Sequence, residues 1–342
     1  MQFSADLGAR FCSGPPTRTS PARVRDVIVC AADNVADVDV EEYRQHLPVG
    51  EERLAEGDAT AEQVDLGRGA VLCQLDDDEA ELIANACTQR GHYFHPVRQF
   101  GQRYSFSREL HLAELENRQF AVDVDGVLGD ALSLSRLVRD NGFSMQYAAR
   151  IIDYEDGQQS VIYLPGSEGK AVYRLRRDRE WLDGPEAEEL TALLAAFWDA
   201  DLPPRVTRAM WRVEYATWQR YADVSLPVII GGLEALLKIG RGNLTEQFKR
   251  RTSALADEME VEGIDADFCG RMYDGRSDWV HGSHVELFNP AGDGSDAEGQ
   301  DVLADIEKLH ATLRRALRLA IEDRDFRSIF EADETIAERW PA

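Results

Sequence analysis

Short runs of apolar and β-branched residues, separated by turn residues, dominate the first half of the chain. The pattern predicts strands over residues 25–30, 70–74, 116–124, 149–154, 160–164 and 171–175. The last three form a predicted meander, because Asp156-Gly157 and Pro165-Gly166 supply turn residues between them. Apolar positions three and four apart predict helices over 77–90 and 128–141. The first half is therefore predicted to be α+β.

Beyond residue 190, apolar residues recur every three or four positions, which predicts helices throughout. The predicted helical segments are 190–198, 206–221, a helix that carries 233–237, one that opens at 243–246, one that opens near Asp265, and 302–321. The pair Pro203-Pro204 interrupts the pattern and marks the predicted domain boundary. A polar, glycine-rich loop is predicted over 289–300.

Capping residues mark two of these helix starts. Asp223 or Ser225 is predicted to cap the helix that carries 233–237, with Pro227 in its first turn. Asn243 and Glu246 have the spacing of a capping box, which predicts the start of the next helix.

Two helical faces allow more than one interpretation. Met210, Trp211, Tyr215 and Trp218 are spaced as a stripe that suits either a hydrophobic core or a surface on which bases stack. We predict a core, because the spacing is that of a buried helix face. The helix over 302–321 carries three arginines opposite its apolar face, and these are predicted to be solvated: Arg314, Arg315 and Arg318.

Composition is that of a globular protein, with 44% apolar residues in a chain of 342, long enough for two domains. The sequence has neither an apolar run that could span a membrane nor a leader pattern with a cleavage site. Its five cysteines are scattered without a Cys-x2-Cys pair, which argues against a disulfide framework and against a zinc knuckle. We therefore expect a cytoplasmic protein with no membrane contact.

The charge of the chain is unevenly distributed. The formal net charge is −25, which disfavours avid binding of nucleic acid, yet residues 203–256 hold 9 basic and 4 acidic residues. Because affinity for RNA depends on local neutralisation of phosphates, this segment could still bind RNA. The basic residues predicted to contact RNA are Arg205, Arg208, Arg212, Arg241, Lys249, Arg250 and Arg251.

The stretch 271–282 contains Arg276 and His281 in a segment patterned as a helix that ends at Gly282. Histidine exchanges a proton near neutral pH, and the planar fork of arginine fits phosphate oxygens. Together they suit metal-independent phosphodiester cleavage, in which one group moves a proton and the other neutralises charge on phosphorus. Positions five apart diverge by about 140° around an ideal helix. Either the arginine wraps round the helix, or another chain completes the site.

The motif Arg276-Ser-Asp-Trp-Val-His281 resembles the Arg-x4-His signature of HEPN domains. The longer pattern, which begins at Tyr273 and ends at Gly282, resembles the Apea-like branch of that superfamily. The upstream Leu233-Glu234-Ala-Leu-Leu is similar to the Leu-Glu-x-Leu that this branch carries on an earlier helix. The resemblance covers residues 203–325. It implies an all-helical domain that commonly dimerises and often cuts RNA without a metal or other cofactor.

Two functions follow from the resemblance. The first is an endoribonuclease, acting in host defence or as a toxin, whose product carries a 2′,3′-cyclic phosphate; Arg276 and His281 are its expected catalytic residues, and Glu234 orients Arg276 or tunes the histidine. The second is a dimerising module that holds RNA or a protein without cutting. Without the family pattern, Arg276 would be an ion-paired surface arginine and His281 a histidine bonding the last carbonyls of its helix. Glu234 would be an exposed carboxylate.

Other histidines offer metal sites that we do not favour. His92 and His95 lie three apart, but the neighbourhood has too few further ligands, so two satisfied histidines on a strand are predicted. His284 could join His281, with Glu286 as the one carboxylate near enough to help. We expect no metal at either place.

The overall prediction is an α+β domain followed by an all-α HEPN-like bundle. The segments are a loose start over 1–24, an α+β domain over 25–200, the helical domain over 203–325 and a C-terminal tail over 326–342. The α+β domain is expected to sense a protein or small-molecule trigger or to restrain the helical domain, and the expected partners are RNA and a second copy of the chain.

Overall fold

The computed structural model describes residues 20–31, 63–74, 79, 82–83, 103–110, 126–139, 144–165, 182, 184–219, 222–240, 242–280 and 297–341. Six strands in these residues form one antiparallel sheet in the order β2-β3-β4-β1-β5-β6. The strands are β1 (Pro21–Ala31), β2 (Val64–Gly67), β3 (Ala70–Gln74), β4 (Arg103–Leu110), β5 (Ser144–Tyr154) and β6 (Gln159–Pro165).

Four predicted strands are confirmed, over 25–30, 70–74, 149–154 and 160–164. The predicted strands over 116–124 and 171–175 lie outside the described residues, as does most of the predicted helix over 77–90. Alternation of side chains places Ile28 of β1 on the buried face, opposite Phe106 of β4 and Ala148 of β5. On the same face, Asp26 accepts two hydrogen bonds, of 2.6 and 2.7 Å, from the guanidinium of Arg150. The two residues are cross-strand partners, so the register itself sets this buried ion pair.

Apart from helical residues 79 and 82–83, the described helices begin at residue 127, and they dominate the chain beyond residue 184. They are α1 (Val127–Val138), α2 (Gly184–Asp199), α3 (Pro204–Trp218), α4 (Ala222–Leu237), α5 (Leu244–Glu258), α6 (Ala266–Val280), α7 (Ala297–Glu322), α8 (Arg324–Ser328) and α9 (Asp333–Arg339). An antiparallel sheet in the first half, followed mostly by helices, agrees with the predicted order of structural classes. No helix among the described residues is long and apolar enough to cross a membrane.

Helix α7 is the central element of the helical half, since it packs on α1, α2, α3, α4, α5 and α8. It begins at Ala297, so the prediction of a loop over 289–300 is wrong for its last four residues. One hydrophobic cluster continues from the sheet through α1 and α2 to the last helix, across the predicted boundary at Pro203. Buried Arg136 of α1 also forms an ion pair with Glu214 of α3 across that boundary.

The three arginines predicted to be solvated on α7 all donate hydrogen bonds to neighbouring elements. Arg315 is exposed as predicted, whereas Arg314 and Arg318 are half-buried. Arg314 donates to the carbonyl of Arg136 at 3.0 Å, and Arg315 donates to the carbonyl of Met259 at 2.9 Å. Arg318 forms a 2.9 Å ion pair with Glu189 of α2. Helix spacing identified the polar face of α7, and neighbouring elements supply the acceptors for its arginines.

Helix starts test the capping predictions. Asp265 caps α6 as predicted, because its Oδ1 accepts the N–H of Phe268 at 2.7 Å. Asn243 occupies the N-cap position of α5, but its backbone is left-handed, with φ 44°, and its side chain makes no capping bond. Glu246 pairs instead with Arg250, so the predicted capping box is wrong.

The start predicted for α4 is also wrong. The helix includes Ala222, so Asp223 and Ser225 lie within it and Pro227 falls after its first turn. Ser225 is buried, and its hydroxyl donates to the carbonyl of Ala216 on α3 at 3.4 Å. The serine therefore joins two helices rather than beginning one.

The segment predicted as a C-terminal tail is folded against the helical half. Phe326, Phe330 and Trp340 form a buried aromatic cluster, with ring centroids 5.3 and 5.7 Å apart around Phe330. Glu258 at the end of α5 accepts bonds from Arg339 at 2.6 Å and from the indole of Trp340 at 3.0 Å. This segment therefore belongs to the core.

Helix α3 presents Trp211 and Tyr215 to solvent, contrary to the prediction that they lie in the core. Met210 of the same stripe packs against the core as predicted, and the side chain of Trp218 lies outside the described residues. Trp211 is 56% exposed and Tyr215 is 45% exposed. The buried stripe of α3 consists instead of smaller residues: Val206, Ala209, Val213 and Ala216. Both stripes have helical spacing, so spacing alone could not decide which one faces inward.

Candidate functional site

Helix α6 is held by a buried stripe that fixes the direction of its polar residues. Phe268, Cys269 and Met272 are buried, so the helix cannot rotate without exposing them. Tyr273 follows on the edge of this stripe, and its ring lies 4.8 Å from that of Phe248 on α5. Arg276 lies one turn later on α6, and both residues contact α4.

Two side chains of α6 donate hydrogen bonds to one carboxylate oxygen of α4. Oε1 of Glu234 accepts the hydroxyl of Tyr273 at 2.9 Å and Nη1 of Arg276 at 2.8 Å. The guanidinium carbon of Arg276 also lies 5.3 Å from the centre of the Tyr273 ring, within range of a cation–π interaction. The side chains of Arg276 and Glu234 are 31% and 22% exposed, so solvent and a ligand can reach the cluster.

The environment of this cluster changes its protonation chemistry. Partial burial raises the pKa of Tyr273, as do its hydrogen bond to Glu234 and the charge of that carboxylate; Arg276 opposes the rise. Tyr273 is therefore a hydrogen-bond donor at neutral pH rather than a base. Burial raises the pKa of nearby Cys269 to about 12, so this thiol is not a nucleophile at neutral pH.

Glu234 is set on a well-anchored helix end. Its own carbonyl accepts the N–H of Ile239 at 3.1 Å, which closes the last turn of α4. Arg251 reaches the same end and donates to the carbonyls of Leu237 and Lys238 at 2.9 and 2.8 Å. The carboxylate position is thus determined by backbone bonds as well as by its side-chain partners.

The predicted basic strip is divided by these contacts. Arg251 is buried and satisfies the end of α4. Arg205 pairs with Asp333 of α9 at 2.6 Å, and Arg250 pairs with Glu246 at 2.7 Å. Lys249 lies 4.0 Å from the same carboxylate of Glu246. These four cations are engaged within the fold.

Arg208 and Arg212 of α3 remain as exposed members of the strip. Neither forms an ion pair with any residue that the structure describes. Arg241 lies outside the described residues. The strip is therefore an exposed pair on α3 and a separate set of ion-paired or capping side chains.

His281 follows the last residue of α6, Val280, and lies outside the described residues, as do His92, His95, His284 and Glu286. The structure therefore brings together Glu234 and Arg276 of the predicted catalytic set. Within the described part of the chain, no three histidine, cysteine or acidic side chains are grouped as a metal site.

Tyr273 is the site residue whose contact the sequence reasoning missed. The sequence singled it out as the first residue of the pattern that ends at Gly282, whereas the structure shows its hydroxyl donating to Glu234. Its position three residues before Arg276 was the available signal, since such residues lie on one side of a helix.

No family model, curated protein or solved structure matches this chain.

Proposed function

We propose that the protein is a metal-independent endoribonuclease of the HEPN type. The observation that carries this proposal is the shared oxygen of Glu234, which holds Tyr273 and Arg276 at a solvent-accessible place. Arginine has five N–H donors, so a phosphate can bind the donors that the carboxylate does not use. The resemblance of 273–282 to the HEPN motif supports the assignment of the phosphate as the ligand.

In the proposed reaction, the ribose 2′-oxygen attacks the adjacent phosphorus and the bond from phosphorus to the 5′-oxygen breaks. The products are a 2′,3′-cyclic phosphate and a 5′-hydroxyl end. His281 takes the 2′-hydroxyl proton or donates a proton to the departing 5′-oxygen, with water exchanging the other proton. Arg276 neutralises the charge that grows on the phosphate oxygens. Glu234 is a positioning residue, because it acts through Arg276.

The test is incubation of purified protein with mixed RNA in EDTA, followed by analysis of the new RNA ends. We expect cleavage that leaves cyclic phosphates and is lost in His281→Ala and Arg276→Ala. Arg271→Ala is the matched control, since Arg271 is an exposed arginine on the same helix and lies near Phe268 instead. Undiminished cleavage by His281→Ala, at the wild-type rate, refutes the catalytic assignment.

A second copy of the chain is part of this proposal. Arg276 and His281 diverge by about 140° if one ideal helix carries both. A twofold interface through the C-terminal helices would set each pair opposite its equivalent and could complete the site, because such an interface repeats one patch on both chains. The sheet-containing half is proposed to sense a trigger or restrain the helices, in the cytoplasm, in host defence or as a toxin.

The alternative is a non-catalytic module that dimerises and holds RNA or a protein. The ion pair favours it, since Arg276 already has a carboxylate partner, and so does the net charge of −25. RNA that is bound and recovered intact in the EDTA experiment would support this function over the nuclease.

A further inference from the structure

Helix α3 carries two aromatic rings and two arginines on its exposed side. We define the aromatic–arginine face as Arg208, Trp211, Arg212 and Tyr215. Trp211 and Tyr215 are one helical turn apart, about 6 Å along the axis, and so are Arg208 and Arg212. The rings and the guanidinium groups therefore form two adjacent rows on one surface.

Helix α3 itself contributes no carboxylate to this face, in a strongly acidic protein. The one acidic residue of α3 is Glu214, which is buried and paired with Arg136. Arg208 and Arg212 are exposed, and they form no ion pair with the described residues. A polyanion with flat apolar groups has the matching chemistry, because bases stack on the rings while phosphates bind the arginines.

The helix that carries this face packs against α4, the helix that carries Glu234. Helices α3 and α4 run antiparallel, since Ser225 bonds Ala216 and a Cβ at Gly231 would lie 3.8 Å from the guanidinium carbon of Arg212. Continuing that alignment by one turn places Glu234 at about the same height along the helix axes as Arg208. A strand bound along α3 would thus lead towards the cluster that contains Arg276.

We propose that the aromatic–arginine face binds single-stranded RNA, stacking bases on Trp211 and Tyr215 and contacting phosphates through Arg208 and Arg212. The inference rests on the proposed function in taking RNA as the ligand and locates where that RNA is held. A second copy of the chain fits less well, because a twofold contact would bring the same arginines together with no carboxylate on the face to neutralise them.

Binding is measured separately from cleavage by fluorescence anisotropy with a labelled 2′-O-methyl oligouridylate, which has no free 2′-hydroxyl to attack phosphorus. Trp211→Ala and Tyr215→Ala are each expected to weaken binding about 5- to 150-fold, and Trp211→Phe to retain most of it. Arg208→Gln and Arg212→Gln are each expected to reduce the slope of log affinity against log salt by about 0.7. A duplex of equal length is expected to bind more weakly than the single strand.

Leu244→Ala and Arg271→Gln are the controls, since both residues are exposed on other helices, and neither should alter binding. Circular dichroism checks that each variant is folded. Binding that survives Trp211→Ala combined with Tyr215→Ala refutes the inference. Self-association that Trp211→Ala abolishes, in a protein that does not bind the oligonucleotide, also refutes it, because a second copy then covers the face.

The two proposals fail in different ways. If the 2′-O-methyl strand binds through the face while unmodified RNA stays intact, the binding surface stands and the nuclease is refuted. If unmodified RNA is cut and the double aromatic variant has wild-type affinity and wild-type KM, the nuclease stands and the surface is refuted.

Discussion

Replacement of Glu234 by glutamine tests whether this side chain holds Arg276. The variant keeps an oxygen where Oε1 accepts Tyr273 and Arg276, at 2.9 and 2.8 Å, and removes the negative charge. The hydrogen bonds can persist, while the electrostatic attraction to the guanidinium is lost. Glu234→Ala removes both and is the stronger perturbation.

The expected cost follows from the exposure of the pair. Fully exposed ion pairs contribute roughly 0.2 to 1 kcal/mol, and hydrogen bonds to charged groups in buried places contribute roughly 1.5 to 3 kcal/mol. With side chains 31% and 22% exposed, the Arg276–Glu234 contact lies between these limits. We expect Glu234→Gln to lower the free energy of unfolding by about 1 kcal/mol and Glu234→Ala by about 2 kcal/mol.

Tyr273 makes the free energy of unfolding depend on pH in a direction that can be predicted. Its pKa is raised above its ordinary value of 10.0, by burial first and then by Glu234. A group whose pKa is higher in the folded state than in the unfolded state stabilises the fold at pH values below its unfolded-state pKa. This contribution to the free energy of unfolding is lost as the pH rises through the folded-state pKa. Glu234→Gln removes the carboxylate part of the rise. The difference in unfolding free energy between wild type and variant should therefore narrow as the pH rises above about 10.

Urea unfolding followed by circular dichroism measures the stabilities, and RNA cleavage measures the effect on function. If Glu234 positions Arg276, Glu234→Gln should slow cleavage by about tenfold to a hundredfold, far more than its stability cost explains. Glu262→Gln is the matched control, because Glu262 is exposed and bonds no residue in the described part of the chain. Wild-type stability and cleavage in Glu234→Gln would refute the positioning role.

Four further outcomes are expected. Arg276→Lys should impair cleavage almost as much as Arg276→Ala, because an ammonium group cannot reproduce a bidentate fork on phosphate; near-normal cleavage by the lysine variant would contradict this. Mixing Arg276→Ala chains with His281→Ala chains should recover part of the cleavage activity if two chains share one site. A protein that sediments as a monomer at micromolar concentration and still cuts RNA would exclude a shared site. Gly232→Ala should destabilise the protein by about 1 to 2 kcal/mol, since its Cβ would lie 2.6 Å from a leucine methyl on α7; Gly275→Ala, with nothing within 4 Å of its Cβ, is the control and should be neutral or stabilising in the same urea titration. Hydrogen bonds from Arg205 and Lys238 lower the pKa of Asp333, so its contribution to the free energy of unfolding should be present above pH 3.8 and be lost as the pH falls through the lower pKa of the folded state. Acid unfolding of wild type and Asp333→Asn, compared side by side, measures this contribution.

Local chemistry was sufficient to predict several parts of the fold and of the site. The strands over 25–30 and 70–74 combine β-branched residues with flanking turns, and both are found. Asp265 caps α6 because an aspartate oxygen reaches an N–H three residues away without help from the rest of the chain. The two motifs on separate helices also predicted a contact between Glu234 and Arg276, and the structure forms it as a 2.8 Å ion pair.

Other features required neighbours that no short segment contains. Arg314, Arg315 and Arg318 have the spacing of a solvated face, yet three different elements provide their acceptors. Helices α4 and α7 begin earlier than predicted, at Ala222 and Ala297. Local capping rules did not anticipate these starts.

The sequence by itself determined the periodicities: period two in the strands, a helical period beyond residue 190, and the placement of Tyr273 and Arg276 on one side of α6. Only the tertiary structure decided which side of each helix is buried. In α3 an aromatic stripe and a stripe of valine and alanine have the same spacing, and the smaller stripe is inside. The close approach of α3 and α4 gives the physical reason: a Cβ at Gly232 would lie 3.1 Å from the Cβ of Arg212 on α3. Helices packed this closely leave room for small side chains but not for an indole ring.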